Sequence, residues 1–72
     1  MELKNKLKVA RITNGDLTQQ ALADLVACSR QTIHSIENSK FVPSIELSLK
    51  IARALGVPVE QIFFLEEPNA KL

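Results

Sequence analysis

Residues 19–37 read QQALADLVACSRQTIHSIE and decide the fold of this 72-residue chain. Apolar side chains recur in this stretch three and four positions apart, which is the period of helices that bury one face. A break at residues 27–29 divides it, and Ser29 is of a type that often caps the start of a helix. The stretch therefore predicts a helix at about 19–26, a three-residue turn, and a second helix at about 30–38.

The predicted inner faces of these two helices are small or aliphatic: Ala23, Val26, Ile33 and Ile36. A small side chain at position 23 lets the two helices cross closely. This pattern is typical of a helix-turn-helix, whose second helix enters the major groove of DNA. The spacing alone also fits any pair of short packed helices.

Outward from this stretch, aliphatic residues keep the helical period and strand alternation is hard to find. Gly15 ends a predicted first helix, Ser44 caps a fourth, Gly56 ends it, and Pro58 opens a fifth. We therefore predict an all-α domain of five short helices over residues 1–65. We expect residues 66–72 to form a polar, frayed C-terminal tail.

Length and composition limit the classes of function. A chain of 72 residues allows one small domain with little room for an enzyme pocket. One Cys and one His cannot build a disulfide framework or a four-ligand zinc site, and no motif indicates a catalytic or cofactor site. With no apolar run of membrane length and no signal peptide, a cytoplasmic setting is expected. The net charge of +1 gives only weak general attraction to nucleic acid.

Residues 17–63, LTQQALADLVACSRQTIHSIENSKFVPSIELSLKIARALGVPVEQIF, closely resemble the Cro/repressor-type helix-turn-helix family, of the lambda repressor-like and xenobiotic-response-element type. The matching elements are Thr18-Gln19, Leu22-Ala23, the run from Ser29 to Ile33, Ile36-Glu37-Asn38, Pro43-Ser44 and the run from Ala54 to Val57. The resemblance implies a five-helix DNA-binding domain in its minimal, single-domain form. It also implies a transcriptional regulator, most simply a repressor.

The resemblance assigns roles to individual residues. Those implied to face base edges are Arg30, Gln31, Thr32, His34 and Ser35. Those implied to contact phosphate are Gln19, Ser29, Asn38 and Lys40. Arg11 and Glu37 match a structural ion pair that ties the first helix to the end of the third. The chemistry agrees, because Arg pairs with guanine, Gln pairs with adenine, and helix N-termini bind phosphate. The alternative for each polar residue is an ordinary solvated surface.

One departure from the family concerns the turn. The position before Cys28 is usually Gly, because the backbone there needs a positive φ, but this chain has Ala27. If the conformation is kept, the left-handed alanine costs about 1–2 kcal/mol. Cys28 itself is expected to be a partly buried, inert thiol, the alternative being a redox switch.

Members of this family usually bind inverted repeats as twofold dimers, since one helix-turn-helix reads few base pairs. The expected dimer interface is Ile62, Phe63, Phe64 and Leu65, because one helix face cannot bury the consecutive residues 63–65. One form of this interface is extended by a short strand into Glu66. The alternative is that they tuck under the first helix. A second candidate function is a protein-interaction module, or an antitoxin-type partner, that uses the same fold.

Overall fold

A computed structural model describes residues 1–67 of the chain. In chain order, its elements are strand β1 (Glu2–Asn5) and the helices α1 (Leu7–Thr13), α2 (Gln19–Val26), α3 (Arg30–Glu37) and α4 (Ile45–Leu55), followed by a 3₁₀ turn (Val59–Gln61) and strand β2 (Phe63–Glu66). None of the helices within residues 1–67 is long and apolar enough to cross a membrane.

Hydroxyl caps fix the starts of the three central helices. Thr18 accepts a hydrogen bond from the Ala21 amide, Ser29 from Thr32, and Ser44 from Leu47. Each bond satisfies one of the free amides that every helix N-terminus leaves. The predicted boundaries of α2, α3 and α4 therefore agree with the structure to within one residue.

The core lies where the helices meet the sheet. Its fully buried large side chains are Leu7, Leu22, Ile33, Ile36, Ile51 and Ile62. Ala23 is also 0% exposed, and its carbonyl accepts from the Cys28 amide at 3.0 Å. A small side chain at this position allows α2 and α3 to pack closely, so the inner faces of the motif are the predicted ones.

The two ends of the domain differ from the all-α, five-helix prediction. The first predicted helix begins only at Leu7, because residues 2–5 form β1. The fifth predicted helix is a single 3₁₀ turn followed by β2. The strands pair antiparallel, with Leu3 opposite Leu65 and Asn5 opposite Phe63. Within residues 1–67 the fold is thus four α-helices and a two-stranded sheet.

Local chemistry explains the change at the N-terminal end. The Asn5 side-chain oxygen accepts from the Leu7 amide at 3.1 Å, a local turn that ends the strand and begins α1. The Lys6 amide donates to the Ile62 carbonyl at 2.8 Å, which joins the two ends of the domain.

The C-terminal end forms a strand because of its consecutive apolar residues. Successive side chains of a strand point to opposite faces, so a strand can pack the adjacent Phe63, Phe64 and Leu65 better than one helix face can. Glu66 belongs to β2, opposite Glu2, instead of opening a frayed tail. The rest of the predicted tail, residues 68–72, lies outside the described residues.

The turn between α2 and α3 keeps the left-handed conformation expected of it. Ala27 has φ 59° and ψ 48°, so its Cβ crowds its own backbone. We predict that Ala27→Gly stabilises the domain by up to about 1 kcal/mol, after allowance for the greater chain entropy of glycine. In a chain of this size that corresponds to a melting temperature higher by about 4–8 °C.

The matched control for this substitution is Ala54→Gly, at an exposed position within α4. Glycine should destabilise that helix, because the helical φ suits alanine better. A lower melting temperature for Ala27→Gly would contradict the strain assigned to the turn.

Candidate nucleic-acid interface

Helix α3 presents a polar outer face opposite its buried isoleucines. Arg30, Gln31 and His34 are exposed on this face, while Thr32 and Ser35 are half-buried. Five neighbouring side chains therefore carry hydrogen-bonding groups on one short helix whose other side is anchored in the core.

The start of α3 is held by its cap. Ser29 Oγ lies 3.0 Å from the Thr32 amide and 2.8 Å from Thr32 Oγ1. The Thr32 hydroxyl is thereby engaged with the cap, which orients it toward the helix start. Within the same helix, Gln31 donates to Ser35 Oγ at 3.4 Å.

A buried ion pair fixes the other end of α3. Arg11 Nε donates to Glu37 Oε2 at 2.7 Å, and its second nitrogen donates to Oε1 at 3.3 Å. The side chains are only 9% and 4% exposed. A third donor of Arg11 bonds the Leu17 carbonyl at 2.6 Å. This guanidinium therefore joins α1, the loop before α2, and α3.

Gln19 extends this ion pair to the surface. Its amide nitrogen donates to Glu37 Oε1 at 3.0 Å and lies 3.5 Å from His34 Nδ1. Its amide oxygen faces Arg30 at 3.5 Å. The first residue of α2 thus touches two side chains of the α3 outer face and the buried carboxylate beneath them.

The end of α3 carries two further polar residues. The amide of Asn38 lies 3.0 Å from His34 Nε2, and the Lys40 backbone amide donates to the Ser35 carbonyl at 2.8 Å. Both side chains are exposed. Because Arg11 neutralises Glu37, the remaining charge near α3 is positive, from Arg30 at its first turn and from Lys40 just after its end.

The four residues expected to form the dimer interface do not share one surface. Ile62 is 0% exposed, so its assignment to a dimer surface was wrong, because the side chain fills the core. Phe64 is half-buried on one face of the sheet, with the Lys6 ammonium 5.5 Å from its ring. Phe63 and Leu65 lie on the other face, where Leu65 is 62% exposed.

The sequence analysis missed an apolar face around Leu65. We define this apolar face as Leu3, Phe41, Val42, Phe63 and Leu65. Leu3 is paired with Leu65, and Leu3, Phe41, Val42 and Phe63 line one shallow cavity of about 60 Å³. The adjacent apolar residues 41 and 42 before Pro43 were the available signal, because a short loop cannot bury both.

The apolar face adjoins the end of α3. The Asn5 amide donates to the Ile36 carbonyl at 3.0 Å and to Ser39 Oγ at 3.3 Å. These bonds fix β1, and with it Leu3, against the C-terminal end of α3.

Cys28 lies between the two helices of the motif. Its thiol is partly buried, and its sulfur contacts the Ser29 carbonyl at 3.5 Å. Burial raises the pKa of the Cys28 thiol, which disfavours the reactive thiolate. Among the described residues, no group of three or more His, Cys, Asp or Glu side chains is arranged to hold a metal ion.

Comparison with known proteins identifies helix-turn-helix proteins as relatives of this chain. A helix-turn-helix family model matches residues 7–62. A helix-turn-helix-type transcriptional regulator of Methanocaldococcus jannaschii is 48% identical over 65 residues, which span 90% of this chain and 97% of that protein. The helix-turn-helix-type transcriptional regulator YgzD of Bacillus subtilis is 42% identical over 67 residues, which span 93% and 100%. With α2, the turn and α3 in their expected places, the chain belongs to the Cro/repressor-type helix-turn-helix family, whose members bind DNA and are not enzymes.

Proposed function

We propose that this protein binds double-stranded DNA in a sequence-specific manner and regulates transcription, with α3 as the recognition helix. The observation that carries the proposal is the outer face of α3. It is exposed and polar, and it is held rigidly from below by the Arg11–Glu37 ion pair. A preorganised row of donors and acceptors on one helix is what readout in the major groove requires.

The exposed side chains suit specific bases. Arg30 can donate two hydrogen bonds to the O6 and N7 of guanine, and Gln31 can pair with the N6 and N7 of adenine. His34, Ser35 and Thr32 add contacts along the same face, although the Thr32 hydroxyl also serves the helix cap.

Phosphate contacts are proposed at both ends of the motif. Gln19 and Ser29 lie at the N-termini of α2 and α3, where unpaired amides and the helix dipole favour anions. Asn38 and Lys40 follow α3 on its exposed side. Local amides and two cations offset the low net charge, so a strongly basic chain is not needed.

We propose a twofold dimer that uses the apolar face. This surface is contiguous with the end of α3, so a second copy docked there places one recognition helix on each side of the twofold axis. A twofold interface brings the same residues of each copy together, and aliphatic and aromatic side chains complement themselves. Two half-sites about 34 Å apart give the specificity that a single motif lacks.

The simplest regulatory consequence is repression by occupancy. A dimer on an inverted-repeat operator blocks a promoter without needing an effector. The second candidate function is a protein-interaction module or antitoxin-type partner. It applies if the apolar face binds a different protein instead of a second copy of this chain.

The dimer prediction is tested by placing a charge on the apolar face. Val42 is 68% exposed in a loop, so Val42→Glu should leave the monomer fold intact while burying a carboxylate in the interface. We expect the variant to sediment as a monomer, and its affinity for an inverted repeat should fall at least tenfold, which is about 1.4 kcal/mol.

Val9→Glu is the matched control, because Val9 is 61% exposed on α1 and lies outside the apolar face. It should remain dimeric. A dimer that survives Val42→Glu, or dissociates with Val9→Glu, would place the interface elsewhere.

DNA binding itself is tested by titrating a labelled duplex at several salt concentrations. A binding constant that falls steeply with salt supports phosphate neutralisation by cationic groups. Binding that is absent or insensitive to salt, in a protein that melts cooperatively, favours the protein-interaction alternative.

A further inference from the structure

The hydrogen bonds around Gln19 restrict which way its amide can face. The Glu37 carboxylate can only accept hydrogen bonds, and it lies 3.0 Å from Gln19 Nε2. Turning the amide over would set two oxygens against each other. The buried ion pair therefore fixes the nitrogen of Gln19 toward Glu37 and its oxygen toward Arg30, 3.5 Å away.

The same nitrogen lies 3.5 Å from His34 Nδ1. An amide nitrogen can only donate, so His34 Nδ1 must accept and cannot carry the ring proton of the neutral imidazole. That proton is placed on Nε2, the ring nitrogen that faces Asn38.

Asn38 is the third side chain in this series of contacts, and the orientation of its amide depends on the tautomer of His34. Asn38 Nδ2 lies 3.0 Å from His34 Nε2, which sets two donors against each other once Nε2 carries the proton. Among the described residues, no other hydrogen bond holds the Asn38 amide, whereas Gln19 is tied to Glu37. Asn38 is therefore the amide that turns over and presents its oxygen to Nε2–H.

We infer that Glu37, acting through Gln19, sets the tautomer of His34 and so determines which bases this residue reads. Glu37 and Gln19 are positioning residues, and His34 is the specificity-determining residue. With a proton on Nε2, His34 offers a donor to the groove once a base acceptor displaces the exposed Asn38 amide from it. It selects acceptors such as guanine O6 and N7 or thymine O4, and it discriminates against cytosine, whose groove edge is a donor. The base preference rests on the proposed DNA binding, but the tautomer does not.

The tautomer can be measured directly because His34 is the only histidine in the chain. Nitrogen-15 NMR of the untagged protein, at a pH where the ring is neutral, distinguishes the Nε2–H from the Nδ1–H form. We expect Nε2–H to dominate more strongly in the folded protein than in the urea-unfolded chain. Gln19→Met, which keeps the side-chain length but removes the amide, should return the ratio to the unfolded value.

Gln20→Met is the matched control, since Gln20 is exposed and its amide bonds Asp24 on the same helix at 2.9 Å. It should leave the tautomer unchanged. A dominant Nδ1–H form, a folded ratio equal to the unfolded one, or an unchanged ratio in Gln19→Met would overturn the inference.

The readout of sequence is tested by selecting bound duplexes from a random pool. The base pair read by His34 is identified as the one whose preference disappears in His34→Ala. At that pair we expect the wild type to disfavour cytosine by about two- to tenfold, the effect of one hydrogen bond. Gln19→Met should relax this preference, and Gln20→Met should keep it.

The two measurements separate the possible failures. Cytosine enriched at the pair read by His34 would overturn the inference while leaving DNA binding intact. A protein with the expected tautomer that enriches no duplex would overturn the proposed function and the base preference, but not the positioning of His34.

Discussion

Replacement of Arg11 by methionine is expected to lower the free energy of unfolding by about 3–5 kcal/mol. The substitution leaves the Glu37 carboxylate, 4% exposed, with the Gln19 amide as its remaining side-chain partner. It also removes the donor to the Leu17 carbonyl. Small domains have total stabilities near the lower end of about 5–15 kcal/mol, so the variant should be close to unfolded at 37 °C. Urea denaturation followed by circular dichroism measures the loss.

Two further variants separate the buried charge from the loss of packing. Arg11→Met combined with Glu37→Met removes the orphaned carboxylate and should recover much of the stability. Lys50→Met breaks an exposed pair with Glu46, whose atoms are 3.2 Å apart, and should cost less than about 0.5 kcal/mol. If Arg11→Met unfolds at the same urea concentration as Lys50→Met, the ion pair does not stabilise the fold as described.

The second large effect is expected on DNA binding. Arg30→Ala removes the side chain that we assign to guanine, and each bidentate contact contributes about 1–3 kcal/mol of discrimination. A dimer loses this contact in both half-sites, so operator affinity should fall by about 2–6 kcal/mol if the two losses add. Binding to an unrelated duplex should change much less. Because Arg30 is exposed, the melting temperature should stay close to that of the wild type.

Arg53→Ala is the matched control for charge, because Arg53 is an exposed arginine on α4. Both variants lower the net charge by one, but only Arg30 lies on the α3 outer face. Equal losses of operator affinity in the two variants would mean that general electrostatic attraction, and not base readout, accounts for the role of Arg30.

Sequence reasoning worked best where local signals and burial agree. Ser29 and Ser44 are strong helix caps, and Ile33 and Ile36 leave one face of α3 to the core, so the boundaries of α3 and α4 were predictable. The left-handed Ala27 was expected from the family resemblance, because relatives usually have Gly at this position of the turn, and the structure keeps that conformation.

Sequence reasoning failed where structure depends on residues far apart in the chain. Leu3 and Leu65 stabilise each other only as cross-strand neighbours, and neither four-residue strand is long enough to show alternation. The resemblance to a five-helix family also favoured a helix after Pro58, where the chain makes only a 3₁₀ turn.

The candidate site also has a part that the sequence predicted and a part that it did not. Residue types on α3 identified the outer face, because a helix exposes whatever its buried stripe does not use. The hydrogen bonds from Gln19 to Glu37 and His34 depend on how α2 packs against α3, which no local pattern specifies. The apolar face was missed because it combines β1, β2 and the loop after α3.

The central claim is that α3 reads DNA sequence as part of a dimer. Selection of bound duplexes from a random pool, at about 0.15 M salt, where the Debye length is about 8 Å, tests it most directly. We predict enrichment of an inverted repeat whose half-sites lie about one helical turn apart, and its base preferences should change with Arg30→Ala but not with Arg53→Ala. The claim is contradicted if the folded protein enriches no duplex, or if its base preferences do not change with substitutions on α3.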